Sequence, residues 1–213
     1  SYDDVMNQQR TLIYNQRRQV LDGENISPTI QRMISETVAD TVHFFTGGDA
    51  PAHEWNLDGL RAHFLGWLTT EDDFRFDGDE LKTLTREELT ERLTNRALDR
   101  YHEKEALFGE EVFREVERAI LLRNVDSAWM EHIDTMEDLK NNVGLQAYAQ
   151  RDPVTEYRIR GAEMFDGMVE DIRKNTVRMI LTVVPRPQET IRRVQIAKPI
   201  TEGFEGGEKK RPV

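Results

Sequence analysis

The sequence predicts a mainly α-helical fold built around a long antiparallel helical hairpin. Apolar residues recur at intervals of three and four along most of the 213 residues, which places them on single helical faces. Residues typical of helix starts and stops bracket these segments. Near the C-terminal end, two such segments of about 30 residues each are separated by one modest loop. A chain of this length forms one large domain or two small ones.

Two helices are predicted first. One ends at Gly23, a plausible C-cap, and the next begins with Ser27 as N-cap and Pro28 as its first helical residue. The paired glycines 47–48 end the second helix. The apolar stripe of the first helix consists of Val5, Gln9, Leu12, Ile13, Gln16 and Val20. That of the second consists of Ile30, Ile34, Val38 and Val42.

The pattern weakens over residues 50–85 and then recovers. A short helix is predicted there, followed by acidic turns, on the pattern of Leu57, Leu60, Phe64, Trp67 and Leu68. Thr85 and Glu88 match a capping box, which predicts a helix from Thr85 to about Phe108, with Gly109 as its stop.

The hairpin is the longest regular signal. One stripe consists of Val112, Phe113, Val116, Ile120, Val125, Trp129, Ile133, Met136, Leu139 and Val143. The other consists of Tyr157, Gly161, Met164, Phe165, Met168, Ile172, Met179, Ile180 and Val183. The loop is predicted to begin at Gly144, with Asp152 and Pro153 as N-cap and first residue of the second helix. Pro185 and Pro187 end the helical pattern.

Charge suggests four segments. Residues 1–23 are balanced, 24–108 carry a net −9, 109–184 a net −5, and 185–213 a net +3. We therefore predict a first long helix over 1–23, an acidic inserted helical region over 24–108, the hairpin over 109–184, and a linker or tail over 185–213.

Composition excludes several function classes. A net charge of −11 disfavours nonspecific nucleic-acid binding. The absence of cysteine removes disulfides, thiolate nucleophiles and Cys-type zinc sites, and it fits a reducing, cytoplasmic compartment. No apolar run approaches the roughly 20 residues of a membrane span, and the first residues lack the pattern of a secretory signal.

Catalytic motifs are missing. The sequence has no phosphate-binding Gly-rich loop and no Gly-x-Ser-x-Gly elbow, so no nucleotide or catalytic serine is expected. Asp40 with His43, and Asp99 with His102, have the spacing used in di-metal helical bundles, but solvated surface pairs explain them better. A metal-dependent helical enzyme is therefore the weakest alternative. His132 lies beside the apolar stripe and is expected to pack rather than to catalyse.

The hairpin tip is the candidate interaction site. It places apolar residues where a solvent-facing loop would usually be polar: Leu145, Ala147, Tyr148 and Ala149 lie beside Gln146, Gln150 and Arg151. An amphipathic tyrosine at the end of a helical lever suits contact with another chain. The alternative is that Leu145 and Tyr148 fold back and cap the hairpin.

Two stretches of the sequence carry motifs that follow one another at a recognisable spacing. The first consists of Tyr2-Asp3-Asp4-Val5, Gln9-Arg10, Ile13-Tyr14 and Gln16-Arg17-Arg18. The second consists of the segment from Leu122 to Ile133, Tyr148-Ala149-Gln150-Arg151-Asp152-Pro153 with Glu156-Tyr157, and Met164-Phe165. The first resembles the long scaffold helix, and the second the two-helix finger, of the SecA family, the motor ATPases of bacterial preprotein translocation. Residues 24–108 fall where the family carries a variable helical wing domain.

The resemblance implies a non-catalytic scaffold and wing, with ATP and Mg²⁺ bound only by motor domains elsewhere in the family's proteins. It implies a peripheral position on the cytoplasmic face of the plasma membrane. The implied partners are the SecY channel, preproteins, the motor's nucleotide-binding and preprotein-crosslinking domains, anionic phospholipid, and a second copy. In the family the loop tyrosine, here Tyr148, contacts the translocating polypeptide, and the hairpin restrains the ATPase.

The tip departs from the family pattern. Relatives often have Ile-His-Leu-Arg-Gly-Tyr where this chain has Val143-Gly144-Leu145-Gln146-Ala147-Tyr148, so that a His and an Arg are lost and only Arg151 supplies basicity. The alternative from a different class is a freestanding helical adaptor that docks partner helices. A pull-down against channel and motor fragments would separate the two.

Overall fold

The computed structural model describes residues 1–145 and 152–186. Within these ranges the chain forms seven α-helices, one short 3₁₀ helix and no β-strand, so the prediction of a mainly α fold is confirmed. The helices are α1 (Tyr2–Leu21), α2 (Ser27–Thr46), α3 (Leu57–Phe64), α4 (Glu80–Thr83), α5 (Arg86–Phe108), α6 (Glu110–Leu145) and α7 (Pro153–Thr182), with the 3₁₀ helix at Ala52–Glu54.

Helices α6 and α7 form the predicted antiparallel pair. The Asn124 side chain donates to the Thr176 hydroxyl at 3.0 Å, and Gly161 faces Met136 further along. Buried residues of α6 follow one another at steps of mostly three and four, which keeps one seam against the neighbouring helices. The seam consists of Phe113, Glu117, Ile120, Leu121, Val125, Trp129, His132, Met136, Leu139 and Val143.

Helix α1 packs on this hairpin along its length. Gln9 contacts His132, and eight residues later Arg17 reaches back to Asp126, so α1 runs antiparallel to α6. The apolar stripe of α1 covers part of the hairpin seam, so apolar side chains of both are removed from water. Such burial of an apolar face is the main source of helix stability in proteins.

Helices α2 and α5 form a second antiparallel pair. The Ser27 and Tyr101 hydroxyls meet at one end, and the Arg86 guanidinium donates to the Thr46 hydroxyl at 2.8 Å at the other. Between them lie the fully buried Ile30, Ile34, Val38, Val42, Leu89 and Ala97. Arg173 of α7 pairs with Asp40 of α2, which joins this pair to the hairpin.

Most predicted helix ends are confirmed. Gly23, Gly47 and Gly109 follow helices with positive φ angles of 83°, 47° and 81°, the conformation that favours glycine after a helix. The Thr85 hydroxyl accepts from the Glu88 amide at 3.1 Å, and Asp152 caps α7 as predicted.

Three predictions about the helices were wrong. Ser27 is already helical and does not cap α2, because its hydroxyl bonds to Tyr101. The predicted loop residues Gly144 and Leu145 belong to α6, since one glycine costs a helix only about 1 kcal/mol and does not by itself end it. Trp67 and Leu68 lie after α3, not in it.

Not every residue of a predicted stripe is buried. Leu12 is 54% exposed and Val112 is 55% exposed. Three polar residues are buried on these faces: Gln9, which the predicted stripe includes, and Glu117 and His132, which it does not. Among the described helices, none is long and apolar enough to cross a membrane.

Candidate interaction site on the helical hairpin

The tip segment is framed by two helix ends. Leu145 is the last residue of α6, and Asp152 is the N-cap of α7. The predicted contact residues Gln146, Ala147, Tyr148, Ala149, Gln150 and Arg151 lie outside the described residues. Their role, and that of Leu145, stays a prediction, and so does the alternative in which Leu145 and Tyr148 cap the hairpin.

The start of α7 is held by its own sequence. The Asp152 carboxylate accepts from the Thr155 amide at 3.1 Å and from the Thr155 hydroxyl at 2.7 Å. These hydrogen bonds lower the pKa of Asp152 below its ordinary value. Pro153 follows as the first helical residue, where its fixed φ suits the helix. Two strong local signals therefore set where α7 begins after the tip.

A separate apolar cluster holds the outer part of the hairpin, and we call it the distal cluster. Its buried members are Met136, Leu139, Val143 and Tyr157, with Tyr2, Val5, Met6 and Met164 packed against them. Three of its members belong to α1, so the start of that helix braces the hairpin near the tip.

The aromatic contact of this brace is specific. The Tyr2 ring packs edge-on against Tyr157, with ring centroids 4.8 Å apart. The Lys140 ammonium lies 5.5 Å from the Tyr2 ring centroid and 3.9 Å from the Asp3 carboxylate. Edge-to-face pairs and cations over rings add to the energy of simple burial. The sequence pattern did not indicate Tyr2 as a site residue, because the predicted apolar stripe of this helix begins at Val5.

A buried polar contact joins α1, α6 and α7 in the middle of the hairpin. The Gln9 side-chain amide donates to the Gly161 carbonyl at 2.9 Å, and its oxygen lies 2.8 Å from His132 Nε2. Because that oxygen can only accept, His132 must donate from Nε2. We call Gln9, His132 and Gly161 the hairpin junction.

His132 is enclosed by aromatic rings. Its ring centroid lies 5.6 Å from that of Trp129 and 5.7 Å from that of Phe165, and only 4% of the residue is exposed. Burial lowers the pKa of His132 below its ordinary value. The prediction that His132 packs at the apolar stripe is confirmed, although its hydrogen bond to Gln9 was not foreseen.

The lowered pKa of His132 predicts a loss of stability at mildly acidic pH. The unfolded chain binds a proton on this imidazole near pH 6.5, whereas the folded chain does so only at lower pH. The free energy of unfolding should therefore fall as pH decreases from about 6.5 towards the folded pKa, and fall no further through this group below it. Urea unfolding at several pH values should show a smaller decrease for His132→Phe than for the wild type.

A second histidine provides the control. Burial, with Arg178 and Lys174 nearby, also lowers the pKa of His63, so this residue adds to the same loss of stability at acidic pH. His63→Gln removes the contribution of His63 and leaves that of His132. Identical pH slopes for the wild type and His132→Phe would contradict a role for His132.

A second polar network lies where α2, α5 and α6 meet, and we call it the buried tyrosine network. The Tyr101 hydroxyl contacts the Ser27 hydroxyl at 2.7 Å, donates to the Glu117 carboxylate, and accepts from Arg114 at 3.1 Å. Arg114 also pairs with Glu117 at 3.0 Å and with Glu105. Burial and Glu117 raise the pKa of Tyr101. The network fixes the beginning of α6 against the α2–α5 pair.

The remaining sequence candidates are not brought into one site. Asp40 pairs with Arg173 while His43 is exposed, and His102 contacts Glu105 at 3.2 Å rather than Asp99. Among the described residues, no group of three or more His, Asp or Glu side chains is placed to hold a metal ion.

An exposed apolar surface lies where α1 meets α6. Tyr14, Leu21 and Met130 are 56%, 55% and 69% exposed, and they border a groove of about 490 Å³ with Trp129 among its lining residues. Exposed apolar side chains grouped in this way are typical of surfaces that contact another protein.

The architecture defines a class of protein: an all-helical scaffold whose long hairpin is braced by a third helix. The family model described as the SecA Wing and Scaffold domain matches residues 1–184. The chain therefore belongs to the SecA family, in its wing and scaffold region.

Named relatives agree with the family match. The chain is 39% identical to the protein translocase subunit SecA of Acetivibrio thermocellus over 213 residues, covering 100% of this chain and 23% of that protein. It is 40% identical to the SecA of Clostridium perfringens strain SM101, covering 100% of this chain and 25% of the relative. It is 43% identical to the SecA of Pelotomaculum thermopropionicum, covering 91% of this chain and 22% of the relative. The chain thus spans about a quarter of the length of these relatives.

Proposed function

We propose that this chain is the non-catalytic scaffold and wing part of a SecA-type protein translocase subunit, and that its hairpin contacts the SecY channel and the translocating polypeptide. The observation that supports the proposal is the braced hairpin. Helices α6 and α7 are joined to α1 by the distal cluster and the hairpin junction. Long helices packed along their length transmit displacement because their backbone hydrogen bonds are internal.

The proposed partners come from the family to which the chain belongs, and one exposed surface supports part of them. The exposed Tyr14, Leu21 and Met130 support contact between α1, α6 and the nucleotide-binding or preprotein-crosslinking domains of the whole motor. Through these contacts the hairpin restrains the ATPase. We place the protein in the cytoplasm, peripheral to the inner face of the plasma membrane. Anionic phospholipid, bound through the basic residues of 185–213, and a second copy are further proposed partners, and nucleic acid is not one.

Tyr148→Ala tests the proposed contact. In the whole translocase, we expect this substitution to slow polypeptide movement severalfold, because the amphipathic ring would no longer contact the translocating chain. The measurement is the rate of preprotein transport into channel-containing vesicles, together with the thermal midpoint of this chain carrying the same change.

A second substitution on the same hairpin serves as the control for Tyr148→Ala. Ile159→Ala alters an exposed residue of the same hairpin, 51% accessible, and should leave transport unchanged. An unaltered transport rate with a lowered thermal midpoint for Tyr148→Ala would favour the hairpin-capping alternative over the proposed contact.

The proposal also assigns no cofactor to this chain, with ATP and Mg²⁺ binding left to the motor domains. Because the sequence lacks a phosphate-binding loop, the 213-residue chain should neither bind nor hydrolyse ATP. Calorimetric titration with Mg-ATP should give no saturable heat. Saturable binding would overturn this part of the proposal.

A further inference from the structure

Helix α1 buries three residues against the rest of the protein, and one of them is polar. Gln9, Ile13 and Val20 are 6%, 2% and 8% exposed. The two aliphatic side chains stabilise the contact without fixing its position, because apolar burial has no preferred direction. Hydrogen bonds require a narrow range of distance and angle. The axial position of α1 therefore depends on Gln9 more than on its apolar neighbours.

Gln9 is bonded to both helices of the hairpin at once. Its amide nitrogen reaches α7 at the Gly161 carbonyl, and its oxygen reaches α6 at His132. A shift of α1 by one helical turn moves this amide about 5.4 Å along the axis, which breaks both hydrogen bonds and brings Val5 or Ile13 to its place. Such a slip in either direction would leave the buried His132 nitrogen without its Gln9 partner.

Gly161 permits the close approach that these bonds need. A Cβ atom at this position would lie 2.6 Å from Met136 Cε and 3.8 Å from Val5 Cγ1. The glycine thus leaves room where side chains of α1 and α6 converge on α7. This packing places the Gly161 carbonyl within reach of Gln9.

The ion pair of Arg17 with Asp126 is a second polar contact of α1, and it is less able to fix the axial position of this helix. Arg17 donates to the Asp126 carboxylate at 2.8 and 3.2 Å, with side chains 40% and 48% exposed. A long exposed side chain can follow a small displacement by changing rotamer, and water compensates what it loses. This pair serves as a matched comparison for the buried one.

We propose that Gln9 is the positioning residue that fixes the axial register of α1 on the hairpin, with His132 and Gly161 as its two anchors. A single buried polar residue that sets helix register at some cost in stability is well attested in coiled coils. The role of this register in movement rests on the function proposed above. When α1 is displaced, a fixed register makes the hairpin move with it, whereas a loose one would let α1 slide along the hairpin.

The test separates register from stability. Gln9→Met replaces the amide with an apolar side chain of similar length but leaves the His132 donor unpaired. Gln9→Met with His132→Phe makes the site apolar, and removing both partners together restores most of the stability.

Spin labels measure the position of α1 on the hairpin. Because the chain has no cysteine, Asn15→Cys and Asp134→Cys place one label on the exposed surface of α1 and one on that of α6. Pulsed electron paramagnetic resonance then reports the distance between them.

We expect the double variant to regain most of the thermal midpoint lost by Gln9→Met, while its label distance broadens, splits or shifts by up to about 5.4 Å, the length of one turn. A distribution with the same position and width as that of the wild type would overturn the proposal. Should the double variant fail to fold, the same measurement on Gln9→Met below its unfolding midpoint decides between these outcomes.

The exposed pair supplies the control. Arg17→Gln with Asp126→Asn should leave the label distance unchanged, and a shift as large as that of the core variant would also overturn the proposal. Neither channel nor nucleotide enters the experiment, so its failure leaves the Tyr148 test of the proposed function untouched.

Discussion

Replacing Arg114 with Met is expected to lower the free energy of unfolding by about 3–5 kcal/mol, the range measured when one partner of a buried ion pair is removed. Glu117 is fully buried, and Arg114 is the cation that pairs with it, at 3.0 Å. Of the contacts that the described residues make with this carboxylate, the variant would keep the hydrogen bond from the Tyr101 hydroxyl. Urea unfolding followed by circular dichroism gives the measurement.

Two comparison variants make this prediction sharp. Arg118→Met removes a cation of the same helix whose partner, Glu115, is 73% exposed, and should cost about 1 kcal/mol or less. Arg114→Met with Glu117→Met removes both charges, so most of the loss should be recovered. Equal losses for Arg114→Met and Arg118→Met would show that the buried tyrosine network does not hold α6 in place.

This network also shows where sequence reasoning stops. Periodicity predicted the apolar face of α6 correctly at Phe113 and Ile120, but the predicted stripe includes no charged residue. Glu117 shares that face and is buried because Tyr101 and Arg114 satisfy its oxygens. Tyr101 lies on another helix, 16 residues earlier, and a pattern within one helix carries no information about such a partner.

Local signals predicted the helix ends better than the irregular region. Thr85, Asp152 and Gly109 act within one turn, so their neighbours in sequence suffice to predict them. Over residues 50–85 the structure depends on side chains that reach across the chain, such as the Thr69 hydroxyl, which donates to the Arg61 carbonyl at 2.9 Å. The Ser27 cap was wrong for the same reason, because a distant hydroxyl competes for its side chain.

The contact role of the hairpin tip stays a prediction, which depends on an apolar loop with a tyrosine and on the family resemblance. The parts that brace the hairpin were not foreseen. Gln9 and His132 were both noted, Gln9 as part of a stripe and His132 as a packing residue. Their contact joins positions 123 residues apart, and only the packed structure brings these two side chains together.

Tyr157→Ala is the second substitution with a large expected effect, and it should act locally. Tyr157 is 1% exposed and is the largest fully buried side chain of the distal cluster. Truncating a buried aromatic side chain costs about 3–5 kcal/mol. Because the buried residues of the distal cluster are distinct from those of the main core, with Met6 packed against both, we expect the outer parts of α6 and α7 to open first.

Hydrogen exchange read by mass spectrometry distinguishes local from global loss. Peptides from residues 136–145 and 152–161 should exchange faster by an order of magnitude or more, while those from α2 and α5 should keep their protection. Tyr157→Phe keeps the ring and its edge-on contact with Tyr2, so its exchange should match the wild type. If Tyr157→Ala accelerates exchange equally in α2, the distal cluster is not an independent unit. A local opening would mean that the hairpin segment leading to the tip depends on the brace supplied by the first turns of α1.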